Sequence, residues 1–296
     1  MRKMKISKDD IIFDTINYIL LSCVLIIVLY PLYFIVIASI SDPTAVSNGQ
    51  LKFLPIDITF EGYKRIFQDR LILSGYKNTI KYTVIGTTIN IFLTMMTAYP
   101  LSRKDFSGRK ALMIFLMITM YFNGGLIPTY LIVKHLGLIN NWLIMVLKGA
   151  VSVYNIIIAR SFLQSSIPEE LYEAAVIDGC SHIKFFTRVV LPLSKAIIAV
   201  LVLFYGIVHW NEFFTALIYL RDEKLYPLQL ILRSILLENQ MQDAMMNNID
   251  DINNQQYIAD LIKYGMIIVA SLPLLVLYPF LQKYFVKGVM IGSVKG

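Results

Sequence analysis

Residues 166–192 read SIPEELYEAAVIDGCSHIKFFTRVVLP and form a polar stretch between two long apolar runs. Ser166 and Glu169 have the spacing of a capping box, so we expect a helix to begin here. Gly179 suits the left-handed position that ends a helix, and Ser181 can cap a second one. The stretch therefore predicts a short helix-turn-helix held at a membrane surface.

The composition is that of an integral membrane protein. Of the 296 residues, 57% are hydrophobic and 16% are charged, and the mean hydropathy is +0.63. The net charge of +7 comes from scattered basic residues without a basic stripe, so we exclude a nucleic-acid partner. Cys23 lies in an apolar run and Cys180 in the polar stretch, which suggests no disulfide framework.

Six apolar runs predict six transmembrane helices in an all-α fold, because about 20 apolar residues can cross a hydrocarbon layer. They cover residues 15–40, 79–101, 111–133, 142–162, 193–219 and 262–285. Pro31 predicts a kink in the first run, and Asn123-Gly124-Gly125 predicts a break in the third. The first run is too long for the core of a signal peptide, so we expect it to be retained.

The distribution of basic residues orients these spans. Segments on the side of the amino terminus hold 15 Lys and Arg residues, within residues 2–8, 103–110, 160–195 and 283–295. The opposite loops hold 9, in residues 52–77 and 221–233 and at Lys134. The positive-inside rule therefore predicts that both termini and the polar stretch are cytoplasmic. The outer loop 221–263 either is mobile without a specific role or faces an extracytoplasmic partner.

Motifs for catalysis are absent from the sequence. It contains no G-x-x-x-x-G-K-[ST] loop to hold the phosphates of ATP, no H-E-x-x-H metal motif and no G-x-S-x-G elbow. The three histidines, His135, His182 and His209, are too scattered to suggest a metal site. We predict that the chain is not an enzyme, and that any uphill transport takes its energy from a partner or an ion gradient.

The polar stretch resembles the EAA loop of ABC importer permeases, the element that contacts the ATPase. The resemblance rests on Glu173-Ala174-Ala175, Asp178-Gly179 and Leu191-Pro192 at their spacings. It departs from the family pattern at Ala196, where a proline is usual, which puts the shape of the following helix start in doubt. The first triplet alone would favour an ordinary amphipathic connector, whereas the three groups together favour the permease.

Further stretches resemble the permeases of maltose-type carbohydrate importers, in particular the smaller, maltose-G-like subunit of the oligosaccharide branch. They are residues 124–141, 210–220, 226–233 and 282–296, and with the spans they cover most of the chain from about residue 75. The resemblance implies a type I ABC importer permease fold. Residues 1–75 would hold the amino terminus, the first span and an outer loop, and residues 76–296 would form the core.

The same resemblance implies partners and a mechanism. Such importers combine two different permeases, two ATPase subunits and an extracytoplasmic solute-binding protein in the lipid of the bacterial cell membrane. ATP and magnesium would be bound by the ATPase subunits, and this chain would need no cofactor or metal of its own. Transport would proceed by alternating access. In this family the loop 221–263 faces the binding protein, and the carboxyl-terminal tail can reach the ATPase.

A cluster in the fifth run is a candidate for the substrate pathway. Tyr205, His209 and Glu212 share a helical face, with Trp210 and Asn211 beside them. A carboxylate in the membrane costs roughly 2.5–3.5 kcal/mol on insertion scales and normally faces a cavity or a partner. Hydrogen-bonding groups with flat aromatic surfaces suit a sugar, so we expect these residues to line its path. Alternatively, Asn211 and Glu212 bond neighbouring helices or the second permease.

Other functions remain open from the sequence. An importer of the same family could carry a non-sugar solute such as a peptide or a polyamine. An ion-coupled carrier would be expected to show paired intramembrane acids or an inverted repeat, whereas Glu212 stands nearly alone. A membrane scaffold or signalling subunit would leave the glycines inside a span and Trp210-Asn211-Glu212 unexplained.

Overall fold

The computed structural model describes residues 8–244, 257, 260–279 and 282, and every regular element among them is helical. The helices are α1 (Lys8–Ala38), α2 (Pro43–Ser47), α3 (Glu61–Gln68), α4 (Arg70–Ser102), α5 (Arg109–Tyr121), α6 (Leu126–His135), α7 (Ile144–Leu147), α8 (Val153–Ser166), α9 (Glu169–Ile177), α10 (His182–Phe185), α11 (Leu191–Leu193), α12 (Lys195–Trp210), α13 (Phe214–Tyr219), α14 (Leu228–Ala244) and α15 (Asp260–Pro279). Residues 186–190 form a wider π turn between α10 and α11. The predicted all-α class is confirmed.

Three of the described helices are long and apolar enough to cross a membrane: α1, α4 and α15. Two further segments pass the same test only as bent pairs, α5 with α6 at 111°, and residues 182–193 with α12 at 78°. The predicted break at residues 123–125 is present, since α5 ends at Tyr121 and α6 begins at Leu126. Pro31 lies inside α1, which runs as one helix from Lys8 to Ala38.

Besides the third, two predicted spans are not continuous helices, the fourth and the fifth, and we call these two the broken spans. The fourth run is interrupted between α7 and α8, where Gly149 has a φ of +78° and Ser152 caps α8. The fifth run ends as α12 at Trp210 and resumes as α13 at Phe214. The prediction of unbroken helices is wrong at both places, because hydropathy records apolar side chains but not the polar partners that accept an open backbone.

The sixth run is described as α15 from Asp260 to Pro279. Several sequence predictions fall on residues outside the described part of the chain. They concern the basic residues before residue 8, most of the second half of the loop 221–263, and the tail after residue 282.

The chain divides into two compact units. The smaller unit comprises residues 1–69 and 234–271, and in it Ile37, Ala38 and Leu51 form a buried cluster. The larger unit, called the core unit below, comprises residues 70–233 and 272–296. It contains the polar stretch and both broken spans.

The core unit is organised around α4, which packs against α8 and α12. Its buried positions recur every three or four residues, as one face of a helix requires. Toward Ser102 this face is apolar, with Met95, Ala98 and Leu101 in a cluster with residues of α8 and α12. Toward Arg70 the same face also buries polar residues, namely Thr79, Thr87, Asn90 and Thr94, beside the apolar Ile72 and Tyr82. Because lipid is as apolar as these side chains, packing and hydrogen bonds hold the helices together.

Candidate functional site

The polar stretch folds as the predicted helix-turn-helix. Gly179 ends α9 with a φ of +70°, and its amide donates to the Val176 carbonyl at 2.9 Å. The Cys180 amide donates to the Ala175 carbonyl at 2.8 Å. These two bonds form a Schellman ending, which favours glycine because other side chains are strained at positive φ. Ser181 then caps α10, as predicted.

The start of α9 differs from the predicted capping box. α8 continues to Ser166, and α9 begins directly after Pro168 with no side chain accepting from its first amides. The Ser166 hydroxyl is buried and bonds no other described residue. The capping-box prediction is wrong because Glu169 is held from another loop: its Oε2 accepts from Lys104 Nζ at 2.8 Å.

The loop between α4 and α5 holds residues 166–192, the predicted coupling element, which we call the coupling element below. The Arg103 guanidinium carbon lies 3.5 Å from the centre of the Tyr172 ring, and Nη2 is 4.0 Å from Glu169 Oε1. Tyr172 stacks in turn on His182, with ring centres 5.7 Å apart. The Arg103 side chain is only 13% exposed, and a cation over a ring contributes about 0.5–2 kcal/mol, more as water is excluded. One arginine thus connects α4 with both short helices.

Ion pairs shift two pKa values in this loop. The pKa of Lys104 is raised because its ammonium group donates a hydrogen bond to Glu169. The pKa of Asp105 is lowered because Arg103 donates to its carboxylate. Both groups therefore stay charged at neutral pH. Lys104 is exposed, so solvent screening keeps its ion pair weak, and the more buried Arg103 makes the stronger contact.

Basic side chains also complete the carboxyl end of α4. Arg160 Nε donates to the Leu101 carbonyl at 2.9 Å, and Arg109 Nη1 donates to the Arg103 carbonyl at 3.3 Å. The last carbonyls of a helix have no partner inside it, and cations complement its negative end. Arg103 and Arg109 border a cavity of about 310 Å³ between this helix end and α9.

The coupling element presents an exposed surface with apolar side chains. No residue of α9 is buried; Ile177 is 86% exposed, and Ile183 of α10 is 78% exposed. Ala174 is exposed and Ala175 is half-buried, so two small side chains lie at this surface beside larger apolar ones. The other predicted coupling residues, Glu173, Asp178, Gly179 and Pro192, are exposed, and Leu191 is half-buried. Exposed apolar patches with a polar rim are typical of protein docking sites.

Asn90 of α4 connects the two broken spans. Its Nδ2 donates to the carbonyls of Gly149 and Ala150 at 3.0 and 2.7 Å, and its Oδ1 lies 2.6 Å from His209 Nε2. Asn90 is fully buried, so the open backbone of the fourth run is satisfied by protein, as the membrane interior requires. Gly86 leaves room for the imidazole, because a Cβ there would lie 2.4 Å from His209 Nε2.

The five predicted pathway residues have two different environments. Tyr205, His209 and Trp210 are buried. The Tyr205 hydroxyl lies 2.6 Å from Thr94 Oγ1 of α4, and Trp210 packs edge-on against Tyr76 of the same helix. These three side chains therefore contact α4.

Asn211 and Glu212 lie instead in the break between α12 and α13. Asn211 is exposed and donates from Nδ2 to the Ile207 carbonyl at 2.9 Å. Glu212 is half-buried, and its Oε1 accepts from the Thr215 amide at 2.8 Å. Each caps a helix end beside the break. Lys148 of the other break donates to Thr215 Oγ1 at 3.0 Å, so one threonine connects a cation with a carboxylate.

Several residues of the site were not predicted from the sequence, among them Asn90, Arg103 and Lys148. The polar residues Thr79, Asn90 and Thr94 on one face of the second run were a usable signal, because a polar stripe in a span faces protein rather than lipid. From the sequence, Arg103 contributed only to the predicted orientation, as one of the basic residues. Among the described residues, no three His, Cys, Asp or Glu side chains are grouped to hold a metal ion.

Known proteins resemble this chain over nearly its whole length. The model of the family described as "Binding-protein-dependent transport system inner membrane component" matches residues 70–291. Protein LplC of Bacillus subtilis is 39% identical over 98% of this chain and 97% of its own length. The polygalacturonan/rhamnogalacturonan transport system permease protein YtcP of the same organism is 37% identical over 96% of this chain and 99% of its own.

A solved structure contains a chain of the same fold. It is the crystal structure of a bacterial ABC transporter involved in the import of the acidic polysaccharide alginate. The similar chain is 33% identical, with a TM-score of 0.85, over 94% of this chain and 98% of that one. The type I importer permease fold predicted from the EAA resemblance is thereby confirmed.

Proposed function

The chain belongs to the family of binding-protein-dependent transport system inner membrane components, and we propose that it is the smaller of two different permeases in an ATP-driven oligosaccharide importer. It is a membrane subunit and not the ATPase. The observation that carries the proposal is the coupling element, whose α9 is fixed to Arg103 and Lys104 on one side and exposed on the other. Such an element suits the transmission of movement from a docked ATPase to α4.

The named relatives support a saccharide as the solute. One serves polygalacturonan or rhamnogalacturonan, and the structurally similar transporter imports alginate. We propose that an extracytoplasmic solute-binding protein delivers an oligosaccharide to this permease, and not a peptide or a polyamine. ATP and magnesium belong to the two ATPase subunits.

We place the path of the sugar beside the two broken spans. The exposed Asn211 and the half-buried Glu212 offer hydrogen-bonding groups there, while Tyr205, His209 and Trp210 support them from the side of α4. Open peptide groups at such breaks add donors and acceptors, and transporters commonly use discontinuous helices to bind solutes.

The contacts suggest how ATP drives the change of access. When ATP closes the ATPase pair, the docked subunits move α9, and the contact of Arg103 with Tyr172 passes that movement to α4. Because Asn90 of α4 holds both breaks, a displacement of α4 alters the opening beside them. Hydrolysis then restores the inward-facing state. This is movement of packed helices between two arrangements.

The proposed orientation puts both termini and the coupling element in the cytoplasm. Cys180 is a free, half-buried thiol in that element. We expect an impermeant thiol reagent to leave it unlabelled in intact cells and to label it in inverted vesicles. The measurement uses Cys23→Ser, so that a single cysteine reports. Labelling of Cys180 from outside would contradict the orientation and, with it, the docking site.

The proposed function is tested by purifying the tagged chain with its partners and reconstituting the complex in liposomes. We expect a second permease, an ATPase and a binding protein in the complex, and an oligosaccharide should raise ATP hydrolysis several-fold. Trigalacturonate and maltotriose serve as acidic and neutral trimers, with a tripeptide and spermidine as controls. Stimulation by a control alone would reject the saccharide, and the absence of an ATPase would reject the importer.

A further inference from the structure

The end of the core unit farthest from the coupling element carries an excess of positive charge. At 1.5 Å per residue, Arg70 lies about 48 Å along α4 from Ser102, which adjoins the coupling element. Within residues 70–233, seven basic side chains belong to segments toward this far end: Arg70, Lys77, Lys81, Lys134, Arg221, Lys224 and Arg233. Two carboxylates accompany them there: Asp222 and Glu223.

Hydrogen bonds fix the charged loops at this end. Asn78 of α4 donates from Nδ2 to the Lys224 carbonyl at 2.7 Å. The Arg221 amide donates to Asn140 Oδ1 at 2.9 Å, which ties the loop after α13 to the loop after α6. The positive-inside rule does not account for basic residues on an outer face. A field of this sign raises the local concentration of anions.

Lys148 adds a further positive charge at the break in the fourth run, next to Gly149, which Asn90 bonds. It is half-buried; its Nζ donates to Thr215 Oγ1 at 3.0 Å and lies 5.6 Å from the centre of the Tyr219 ring. Among the described residues, no carboxylate lies within 4.0 Å of this ammonium group. Glu212 is turned to the amide of the same threonine. An ionisable side chain in a span marks a solute path by default, and this one is held by a hydroxyl group in place of a counter-ion.

The residues that flank Lys148 in the chain are exposed. Gly149 is exposed, and nothing lies within 4 Å of the position that a Cβ would take there. Leu147 and Val151 are exposed too, as is Asn211 in the other break. The half-buried Lys148 therefore lies in a part of the break whose backbone is accessible.

From these contacts we propose that the path takes acidic saccharides, oligomers of uronic acids, and that Lys148 binds their carboxylates in turn. The inference rests on the proposed function and gives its path a solute class. A carboxylate replaces the Thr215 hydroxyl at Nζ and forms a charge-assisted hydrogen bond. Glu212 on the other side of Thr215 repels the same carboxylate. Binding therefore stays weak enough for release, which passage through a membrane requires.

The test uses the complete transporter with its own binding protein in liposomes. Trigalacturonate and trimannuronate are the acidic probes, their methyl esters are neutral probes of the same length and linkage, and maltotriose is a second neutral probe. We expect an acidic trimer to stimulate hydrolysis and uptake. Lys148→Gln should lower that stimulation, taken relative to the variant's own basal hydrolysis, roughly ten-fold or more, since a hydrogen bond to a charged group is lost. Lys148→Arg should retain most of it.

Lys81→Gln is the matched control. It removes a positive charge from the same end of α4, but Lys81 is exposed and lies over the Trp142 ring, 3.8 Å from its centre. Stimulation should stay within about two-fold of wild type, because charges separated by water are screened over about 8 Å at physiological salt.

The outcomes separate the two proposals. Stimulation by maltotriose or the esters alone would overturn the acidic solute while leaving oligosaccharide import in place. If no trimer stimulates ATP hydrolysis, both the acidic solute and oligosaccharide import are rejected. Unchanged acidic stimulation in Lys148→Gln would overturn the role of Lys148. Equal loss in Lys148→Gln and Lys148→Arg would do the same. If Lys148→Gln fails to assemble, Lys148→Met replaces it, and failure of both would make Lys148 a structural residue.

Discussion

Gly179→Val is expected to abolish the stimulation of ATP hydrolysis by solute-loaded binding protein while leaving the permease in the membrane. Gly179 has a φ of +70°, and the left-handed conformation costs an ordinary residue roughly 1–2 kcal/mol, and a β-branched residue more. No atom lies within 4 Å of an added Cβ, so the strain acts on the backbone alone. The Schellman bonds to Val176 and Ala175 would open, and the end of α9, with the exposed Ile177, would lose its place.

Gly137 offers a matched control for this strain. It follows α6 with a φ of +68°, its amide and that of Leu138 donate to the carbonyls of Lys134 and Val133, and its Cβ position is equally open. Gly137→Val imposes the same cost at the opposite end of the core unit and should leave stimulation close to wild type. Gly179→Asn should retain much of the activity, since asparagine tolerates positive φ. Normal stimulation in Gly179→Val would remove the coupling role, and equal loss at Gly137 would indicate general destabilisation.

The helix-turn-helix was predictable because its signals act over a few residues. Gly179 and Ser181 fixed the end of one helix and the start of the next from the sequence alone. The capping box at Ser166 failed because the competing partner of Glu169 is Lys104, in a loop that no local pattern connects with it. Local signals thus located the element, and tertiary contacts decided its details.

A hydropathy pattern could not predict the breaks in the fourth and fifth spans. Both runs are apolar enough for unbroken helices. At the break in the fourth run, the carbonyls of Gly149 and Ala150 accept from the side-chain amide of Asn90 on another helix. The sequence marks Asn90 as a residue that faces protein, but not which carbonyls it bonds. The predicted common face of Tyr205, His209 and Glu212 is present for the first two residues, and it contacts α4. The prediction is wrong for Glu212, because α12 ends at Trp210.

Asn90→Leu should leave little assembled transporter in the membrane. Leucine has the same branched shape as asparagine and is larger, so the change removes hydrogen bonds without leaving a cavity. The carbonyls of Gly149 and Ala150 and the Nε2 of His209 would each lose a partner. His209 is buried and Ala150 is half-buried, whereas Gly149 is exposed. A buried group without a partner costs about 1–3 kcal/mol, so the losses at His209 and Ala150 amount to about 2–6 kcal/mol. That is a large part of the total stability of about 5–15 kcal/mol that is typical of a folded domain.

Thr88→Val is the matched control for Asn90→Leu. It removes a polar group from the same helix, but the Thr88 hydroxyl is exposed and donates to the Val84 carbonyl of its own helix at 2.7 Å. We expect this variant to assemble like wild type. Size-exclusion chromatography of the tagged complex measures assembly, and its thermal midpoint measures stability. Normal values for Asn90→Leu would mean that the open carbonyls do not depend on the amide.

His209→Ala distinguishes support of the break from contact with the solute, because it removes one of the three bonds. Asn90 still donates to the carbonyls of Gly149 and Ala150. The complex should therefore assemble, with a thermal midpoint between those of wild type and Asn90→Leu. If the imidazole only supports the break, uptake and basal hydrolysis should fall together with the amount of assembled complex. If it lines the path, as the sequence predicts, uptake per assembled complex should fall while basal hydrolysis per complex stays constant. Unchanged uptake per complex would reject the pathway role of His209 and leave Asn211 and Glu212 as its candidates.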